Sequence, residues 1–197
     1  MTEQPPTVIL DTGGGLRLRR ADDQDVDFFV LLFTDEDVEP YLAAVRPRDR
    51  EGLLGEIRRS QEVRGECGRF VIEVDDKGRW RAAGVLGFDV VNRRSRIANL
   101  GGLAIHPAFR GRRLADAAAR LLQRHLLVEL DYHRLQLECY GFNERAIQHA
   151  ERAGFVREGV RRQAYWRHGE WVDGVLFGML REDLPEVDAT PSPESRR

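Results

Sequence analysis

A predicted strand, helix, strand and helix follow one another between residues 97 and 153, and the segments on either side predict β-hairpins. On the N-terminal side, apolar runs at Phe70–Val74 and Ala82–Val91 flank turn residues. On the C-terminal side, Phe155–Trp166 and Trp171–Leu180 do the same. Hairpins combined with interposed helices predict an α+β, or mixed α/β, fold in which helices cover the faces of one sheet.

Helical periodicity predicts four helices. Apolar residues recur at helical spacing from Val26 to Phe33, and residues 47–63 and 112–128 carry apolar stripes among charges. A fourth helix is expected between Asn143, a good N-cap residue, and Gly154, which suits the left-handed position after a helix end.

The ends of the chain differ in composition from its middle. Residues 1–15 combine two prolines with three consecutive glycines, and residues 185–197 are poor in apolar side chains. We therefore expect a flexible N-terminal tail and a disordered C-terminal tail. Residues 16–184 contain no linker and predict a single domain.

Charge and motif content narrow the classes of partner. With 33 acidic residues against 31 lysines and arginines, the formal net charge is -2, which argues against bulk attraction to nucleic acid or an anionic membrane. No apolar run approaches the ~20 residues that span a bilayer, and the first residues lack the features of a signal peptide. The cysteines and histidines lack metal-site spacing. We expect a cytoplasmic protein with no metal.

The loop after the third central strand carries small and basic residues where a helix is predicted to begin. The first N–H groups of a helix have no internal partner, and the helix dipole adds partial positive charge there. Small side chains would admit an anion and arginines would attract it, so the loop predicts a pyrophosphate cradle. An ordinary strand–loop–helix with solvated arginines stays the alternative reading. The loop residues are Arg110, Gly111, Arg112, Arg113, Leu114 and Ala115.

Three ordered motifs resemble the GCN5-related N-acetyltransferase (GNAT) family. The loop, preceded by Ile105-His106-Pro107, is similar to the acetyl-CoA pattern (Gln/Arg)-x-x-Gly-x-(Gly/Ala) of that family. The segments Leu137-Glu138-Cys139, Asn143-x-x-Ala146 and Gly154-Phe155 resemble its second motif. The third motif consists of Glu158, Gly159, Arg162, Gly169 and Asp173, and is similar to the branch that acetylates ribosomal-protein N-termini, aminoglycosides or polyamines.

The resemblance covers residues 16–184 and implies both a fold and a reaction. The fold would have three layers, with a mostly antiparallel twisted sheet, a splayed strand pair and helices on both faces. The reaction would move an acetyl group from acetyl-CoA to a primary amine, on a small molecule or a peptide, by direct transfer in a ternary complex. The resemblance assigns cofactor binding to Leu103, Ala104, Ile105, Arg110, Gly111, Arg112, Arg113, Leu114, Ala115, Asn143 and Ala146.

The same resemblance points to Glu138 as the general base. A lysine-like amine must be neutral to attack, which near pH 7.4 costs ~4 kcal/mol, and a nearby carboxylate can take its proton. The family's other base position corresponds to Asn99, which cannot accept a proton usefully. Glu138 alternates with Leu135 and Leu137 and so faces away from them. A strand glutamate that is exposed, or paired with an arginine, is the alternative reading.

Two departures from the family pattern keep other functions open. Arg113 replaces a glycine, and Ala150 replaces the tyrosine that often serves as general acid. A catalytically weak or inactive CoA-binding module, acting as a sensor or partner, is therefore the second hypothesis. A small nucleic-acid-binding domain is a distant third. The amine acceptor and the oligomeric state stay open, although a homodimer is the commonest soluble oligomer.

Overall fold

The computed structural model describes residues 8–11, 15–42 and 49–185 of the chain. Eight strands form one sheet: β1 (Val8–Asp11), β2 (Leu16–Arg20), β3 (Cys67–Asp76), β4 (Arg79–Asn92), β5 (Ile97–Ile105), β6 (Arg134–Tyr140), β7 (Val156–Arg167) and β8 (Glu170–Leu180). Their order across the sheet is β1-β2-β3-β4-β5-β6-β8-β7. Every neighbouring pair is antiparallel except β5 and β6, which are parallel.

Helices cover both faces of this sheet, as the sequence predicts. They are α1 (Val26–Phe33), α2 (Arg50–Glu62), α3 (Leu114–Arg124) and α4 (Glu144–Arg152). Phe29 of α1 and Ile57 of α2 pack with Val85 of β4 in one apolar cluster. Leu122 of α3 packs with Phe88 of β4 in the second, larger cluster. The two clusters on opposite sides of β4 give the expected three layers.

The parallel pair β5 and β6 separates along most of its length. Backbone pairing is confined to Ile97–Asn99 of β5, opposite Arg134–Gln136 of β6. From Leu100 to Ile105, β5 has no pairing with β6. This is the splayed pair that the resemblance implies, and it opens the sheet between its two faces.

Several predicted boundaries agree with the structure, and others differ by a few residues, including both ends of α3. β5 begins at Ile97, where the central run of elements is predicted to begin, and Gly154 has φ +91 at the end of α4. The helix expected from Arg112 begins only at Leu114, because Arg113 has left-handed dihedral angles. Its end continues as one π-helical turn, His125–Glu129.

The N-terminal tail expectation is wrong for one segment. β1 (Val8–Asp11) pairs antiparallel with β2, so these residues extend the sheet. Residues 1–7, 12–14 and 186–197, which include most of both predicted tails, lie outside the described residues. In the described part of the chain, no helix combines the length and apolar character that crossing a bilayer requires.

Candidate active site

The turn that leads into α3 leaves backbone N–H groups without a backbone acceptor among the described residues. Gly111 has φ +80 and Arg113 has φ +55, so the backbone is left-handed at two of the three residues before the helix. Arg113 provides no side-chain cap, and the first α3 amide with a backbone partner is that of Ala117, which donates to the Arg113 carbonyl at 3.3 Å. The amides of Leu114, Ala115 and Asp116 are therefore the free donors expected at a helix N-terminus. Residues 111–113 are exposed.

The arginine side chains around this turn have different environments. The Arg112 guanidinium lies 5.4 Å from the centre of the Phe109 ring, and that of Arg81 lies 5.3 Å from the same ring. The contact with Phe109 keeps the Arg112 charge beside the turn, whereas Arg81 also donates to Asp76 at 3.0 Å. Arg110, by contrast, is bonded to Asp35, at 3.2 Å, and to Asp37, at 2.6 Å.

The predicted cofactor strand borders the splayed region. Leu103, Ala104 and Ile105 form the end of β5, where pairing with β6 has ceased. Ala104 packs in the cluster of α1 and α2, while Leu103 and Ile105 pack against the larger cluster on the other face. Because the side chains are anchored on the two faces, the unpaired backbone edge is left to pair with an extended ligand.

Asn143 and Ala146 lie at the start of α4, just beyond the end of β6. The side-chain oxygen of Asn143 accepts a hydrogen bond from the Ala146 amide at 3.1 Å, which is the predicted N-cap. This bond uses the carbonyl oxygen of the Asn143 side chain, and its NH2 group can still donate to a ligand. The α4 start is therefore rigid and carries a small side chain.

Glu138 occupies β6 on the face opposite the larger core cluster, as the alternation predicts. One carboxylate oxygen accepts a hydrogen bond from Arg161 of β7 at 3.1 Å. The other oxygen is buried, and within the described residues it has no hydrogen-bond partner. A Cβ atom at Gly174 of β8 would overlap this oxygen and lie 2.9 Å from the Tyr165 ring. Glycine at position 174 therefore makes the space that the carboxylate occupies.

Two titratable neighbours of Glu138 hold their protons firmly. Burial, followed by the interaction with the Glu138 carboxylate, raises the pKa of Tyr165 to about 12. Burial, followed by the negative charge of Glu138, raises the pKa of the Cys139 thiol to about 11. A thiol with this pKa carries little thiolate near neutral pH, which argues against a covalent acetyl-cysteine route.

An aromatic cluster lies next to Glu138 at the end of β6. The Tyr140 ring stacks on Phe142 at 5.4 Å and meets Tyr165 edge-on at 5.2 Å. Tyr41 and His168 contact the other sides of Phe142. We call these five residues the aromatic cluster. It connects the segment 35–42, which follows α1, to the hairpin formed by β7 and β8.

The sequence reasoning missed an ion-pair cluster that joins α3 to α4. Asp116, in the first turn of α3, is buried and accepts hydrogen bonds from His149 at 2.7 Å and from Arg152 at 3.3 Å. Burial opposes ionisation of Asp116, but these bonds outweigh it and hold the pKa of the carboxyl below its usual value. Ala150 is buried in the core, so its small side chain packs beneath the helix.

Other features of the site have a weak signal in the sequence or none. Arg161 lies 23 residues after Glu138, on a strand that is not adjacent to β6 in the sheet. The space at Gly174 depends on the register in which Tyr140 pairs with Gly174. Within residues 8–11, 15–42 and 49–185, no group of three His, Cys, Asp or Glu side chains gathers in an arrangement that could hold a metal ion.

Comparison with known protein families agrees with this geometry. Residues 15–156 match the model of the acetyltransferase (GNAT) domain. Because this match covers most of the chain, the protein belongs to the GNAT family.

Individual relatives are more distant. The chain is 33% identical over 82 residues to YokL, an SPbeta prophage-derived uncharacterized N-acetyltransferase of Bacillus subtilis. The matched region covers 42% of this chain and 46% of YokL. The chain spans about half the length of the curated relatives it matches.

Solved structures share the fold at low identity. RimL, a ribosomal L7/L12 α-N-protein acetyltransferase in complex with coenzyme A, has a TM-score of 0.74 at 22% identity, covering 88% of this chain and 98% of RimL. A spermidine N-acetyltransferase from Vibrio cholerae in complex with CoA and spermine has a TM-score of 0.76 at 20% identity, with coverage of 86% and 98%.

Proposed function

We propose that the chain is an acetyl-CoA-dependent N-acetyltransferase that moves an acetyl group to a primary amine by direct transfer in a ternary complex. The turn into α3 is the observation that carries this proposal. Among the described residues, the amides of 114–116 have no backbone acceptor, and β5, which precedes this turn, has no pairing with β6 beyond Asn99. A helix N-terminus binds a diphosphate, and an unpaired strand edge pairs with an extended chain that contains amides. Coenzyme A offers both groups.

The residues of the chain divide the work of the reaction between them. When bound, acetyl-CoA supplies the acetyl group as a thioester. The amides of Gly111 and of 114–116 hold the diphosphate, the backbone of residues 103–105 pairs with the pantetheine arm, and Asn143 with Ala146 borders the arm on the α4 side. The β5 edge also supplies the N–H group that polarises the reacting carbonyl.

Glu138 acts as the general base in this proposal. The amine nitrogen forms a new bond to the acetyl carbon as the bond from that carbon to sulfur breaks, and the proton of the amine passes to the Glu138 carboxylate, directly or through water. Two observations support this role: Glu138 faces away from the larger core cluster, and Arg161 on one oxygen with Gly174 beside the other fixes its orientation.

The acceptor class proposed here is a primary amine on a peptide N-terminus or on a small polyamine. RimL acts on a ribosomal protein N-terminus and the Vibrio cholerae enzyme on spermidine, according to their names, and both acceptors carry primary amines. In this chain the acceptor side is bordered by the aromatic cluster and by the segment 35–42. Aromatic rings next to a carboxylate favour a cationic or amphipathic amine.

A CoA-binding module without catalysis is the second candidate, and two observations favour it. Ala150 is buried and has no hydroxyl group at the position of the family's general acid. Arg161 already occupies one oxygen of Glu138, which a base must free or share. This module would bind CoA and acetyl-CoA equally and release no thiol.

Two measurements on the wild-type chain test these candidates. Calorimetry with acetyl-CoA should show 1:1 binding under both, and its absence would contradict both. Thiol release over peptide N-termini, polyamines and aminoglycosides should show turnover with at least one amine if the chain is an enzyme. A chain that binds acetyl-CoA but shows no amine-dependent release is the binding module.

The homodimer that the sequence leaves open stays a prediction. β7 is the last strand of the sheet, and it exposes Val156 and Val160. Light scattering at micromolar concentration should give twice the chain mass if two copies associate, and the single chain mass otherwise.

A further inference from the structure

Arg110 lies between the turn that begins α3 and the segment 35–42. Its Nε donates to the carbonyl of Ile105 at 3.2 Å, which holds the side chain against the end of β5. Its two terminal nitrogens donate to Asp37 at 2.6 Å and to Asp35 at 3.2 Å. The guanidinium is thus bonded in three directions, to the cofactor strand on one side and to the acceptor side on the other.

The charges in this cluster argue against a phosphate-binding side chain at Arg110. One guanidinium opposite two carboxylates leaves the group with a net charge of about −1. Such a group repels a diphosphate unless the carboxylates move away. The cation that family resemblance assigns to the cofactor is therefore neutralised by the chain itself.

The acidic partners of Arg110 also organise the segment 35–42. The Asp35 side chain accepts a hydrogen bond from the Asp37 amide at 3.0 Å. The Asp35 carbonyl accepts bonds from the amides of Val38 and Glu39 at 2.9 and 2.8 Å. Arg110 therefore binds Asp35, the residue whose side chain and carbonyl accept the hydrogen bonds of this turn.

The far end of the same segment is tied to the acceptor side. Arg167 of β7 donates to the Pro40 carbonyl at 2.9 Å, and the Tyr140 hydroxyl lies 3.5 Å from the Leu42 carbonyl. The segment thus bridges from the cofactor turn to the aromatic cluster, and Arg110 is the contact at the cofactor end.

We propose that Arg110 is a positioning residue that couples the cofactor turn to the segment 35–42, so that a bound diphosphate orders the acceptor side. The proposal rests on the proposed function for the identity of the ligand. Binding at the amides of Gly111 and of 114–116 stiffens the turn, and the bonds of Arg110 transmit this restraint to Asp35 and Asp37. Coupling of this kind between two sites typically amounts to about 5- to 150-fold.

Hydrogen exchange with CoA as the probe tests the coupling. In the wild type, CoA should slow amide exchange in residues 35–42 by about tenfold or more. Arg110→Gln and the double variant D35N/D37N should each lose this protection while the Kd for CoA, measured by calorimetry, stays within about threefold of the wild type. D35N/D37N keeps every arginine in place. It therefore tests the ion pairs of Arg110 without removing positive charge from the turn.

Arg112→Gln provides the contrast, because Arg112 lies beside the turn without touching the segment 35–42. It should weaken CoA binding and leave the protection of residues 35–42 intact at saturating CoA. Protection that survives Arg110→Gln would overturn the proposal. So would a loss of CoA affinity above about threefold in Arg110→Gln alone, because that result makes Arg110 a phosphate ligand. A wild-type chain that does not bind CoA overturns the proposed function instead.

Discussion

At the residue scale, the surroundings of Glu138, the proposed general base, are set by a glycine and an arginine on other strands. Its buried oxygen occupies the space that a side chain on Gly174 would fill, and Arg161 holds the other oxygen. The carboxylate therefore lies on the face of β6 opposite the larger core cluster, between Arg161 and the space at Gly174. If it is the base, this placement reduces the reorganisation that the reaction needs.

The substitution Glu138→Gln tests the role of this carboxylate. The amide keeps the shape but cannot take a proton, so amine-dependent thiol release should fall by about 10² to 10⁴, with the Kd for acetyl-CoA nearly unchanged. Steady-state kinetics with calorimetry measures both.

Glu158→Gln is the matched control, because Glu158 is also a strand glutamate paired with an arginine, Arg134. It lies outside the proposed machinery, and turnover should stay near the wild-type value. An unchanged rate in Glu138→Gln would remove Glu138 from the mechanism.

At the scale of elements, the start of α3 shows the consequence of having Arg113 where the family pattern has glycine. Arg113 occupies the position where the pattern has glycine, and the structure gives it left-handed dihedral angles, φ 55 and ψ 24. Glycine adopts this conformation without strain, whereas other residues incur a cost of about 1–2 kcal/mol. The turn therefore favours glycine at this position, and Arg113 adopts the left-handed conformation at a cost in backbone strain.

A pair of variants measures this strain. Arg113→Gly and Arg113→Ala both remove the charge, but only glycine relieves the backbone. The free energy of unfolding of Arg113→Gly should exceed that of Arg113→Ala by about 1 kcal/mol in urea titrations. Equal stabilities would mean that the turn is not strained at this residue.

The ion pairs of Asp116 with His149 and Arg152, which join α3 to α4, should make the free energy of unfolding depend on pH in the acidic range. The folded-state pKa of Asp116 is depressed, because bonds from His149 and Arg152 outweigh the effect of burial. Its stabilisation is therefore complete above about pH 4, the ordinary pKa of aspartate, and is lost as the pH falls through the lower folded value.

Asp116→Asn removes the titration. The gap in the free energy of unfolding between wild type and Asp116→Asn should be steady near pH 5 and should narrow below about pH 4. Urea unfolding between pH 2.5 and 5 measures it. A gap that stays constant down to the lowest pH would show that Asp116 does not titrate below its usual range.

Local sequence patterns predicted elements better than their ends. The alternation of Leu135, Leu137 and Glu138 in β6 and the Asn143 cap of α4 depend on neighbours in the chain, and both agree with the structure. β1 was missed because its four residues form a strand only by pairing with β2. The start of α3 was misplaced because the left-handed angle of Arg113 has no signal in a residue that favours helices.

At the scale of the whole molecule, the proposed site draws on separate segments of the chain. The proposal combines the splay of β5 from β6, the amides at the start of α3 and the carboxylate of Glu138. The Arg110–Asp35 contact spans 75 residues, and the Arg161–Glu138 contact crosses β8. Contacts between residues so far apart in the sequence depend on the topology of the sheet. The sequence therefore predicted candidate site residues such as Arg110 and Glu138, but not the residues that they contact.

The proposed function depends on a diphosphate binding to the backbone amides of the turn into α3. A crystal structure of the chain with CoA tests this binding. Diphosphate oxygens should lie within about 2.7–3.2 Å of the amides of Gly111 and of residues 114–116, with the pantetheine arm along Leu103–Ile105. A diphosphate bound elsewhere, with these amides left to water, would contradict it.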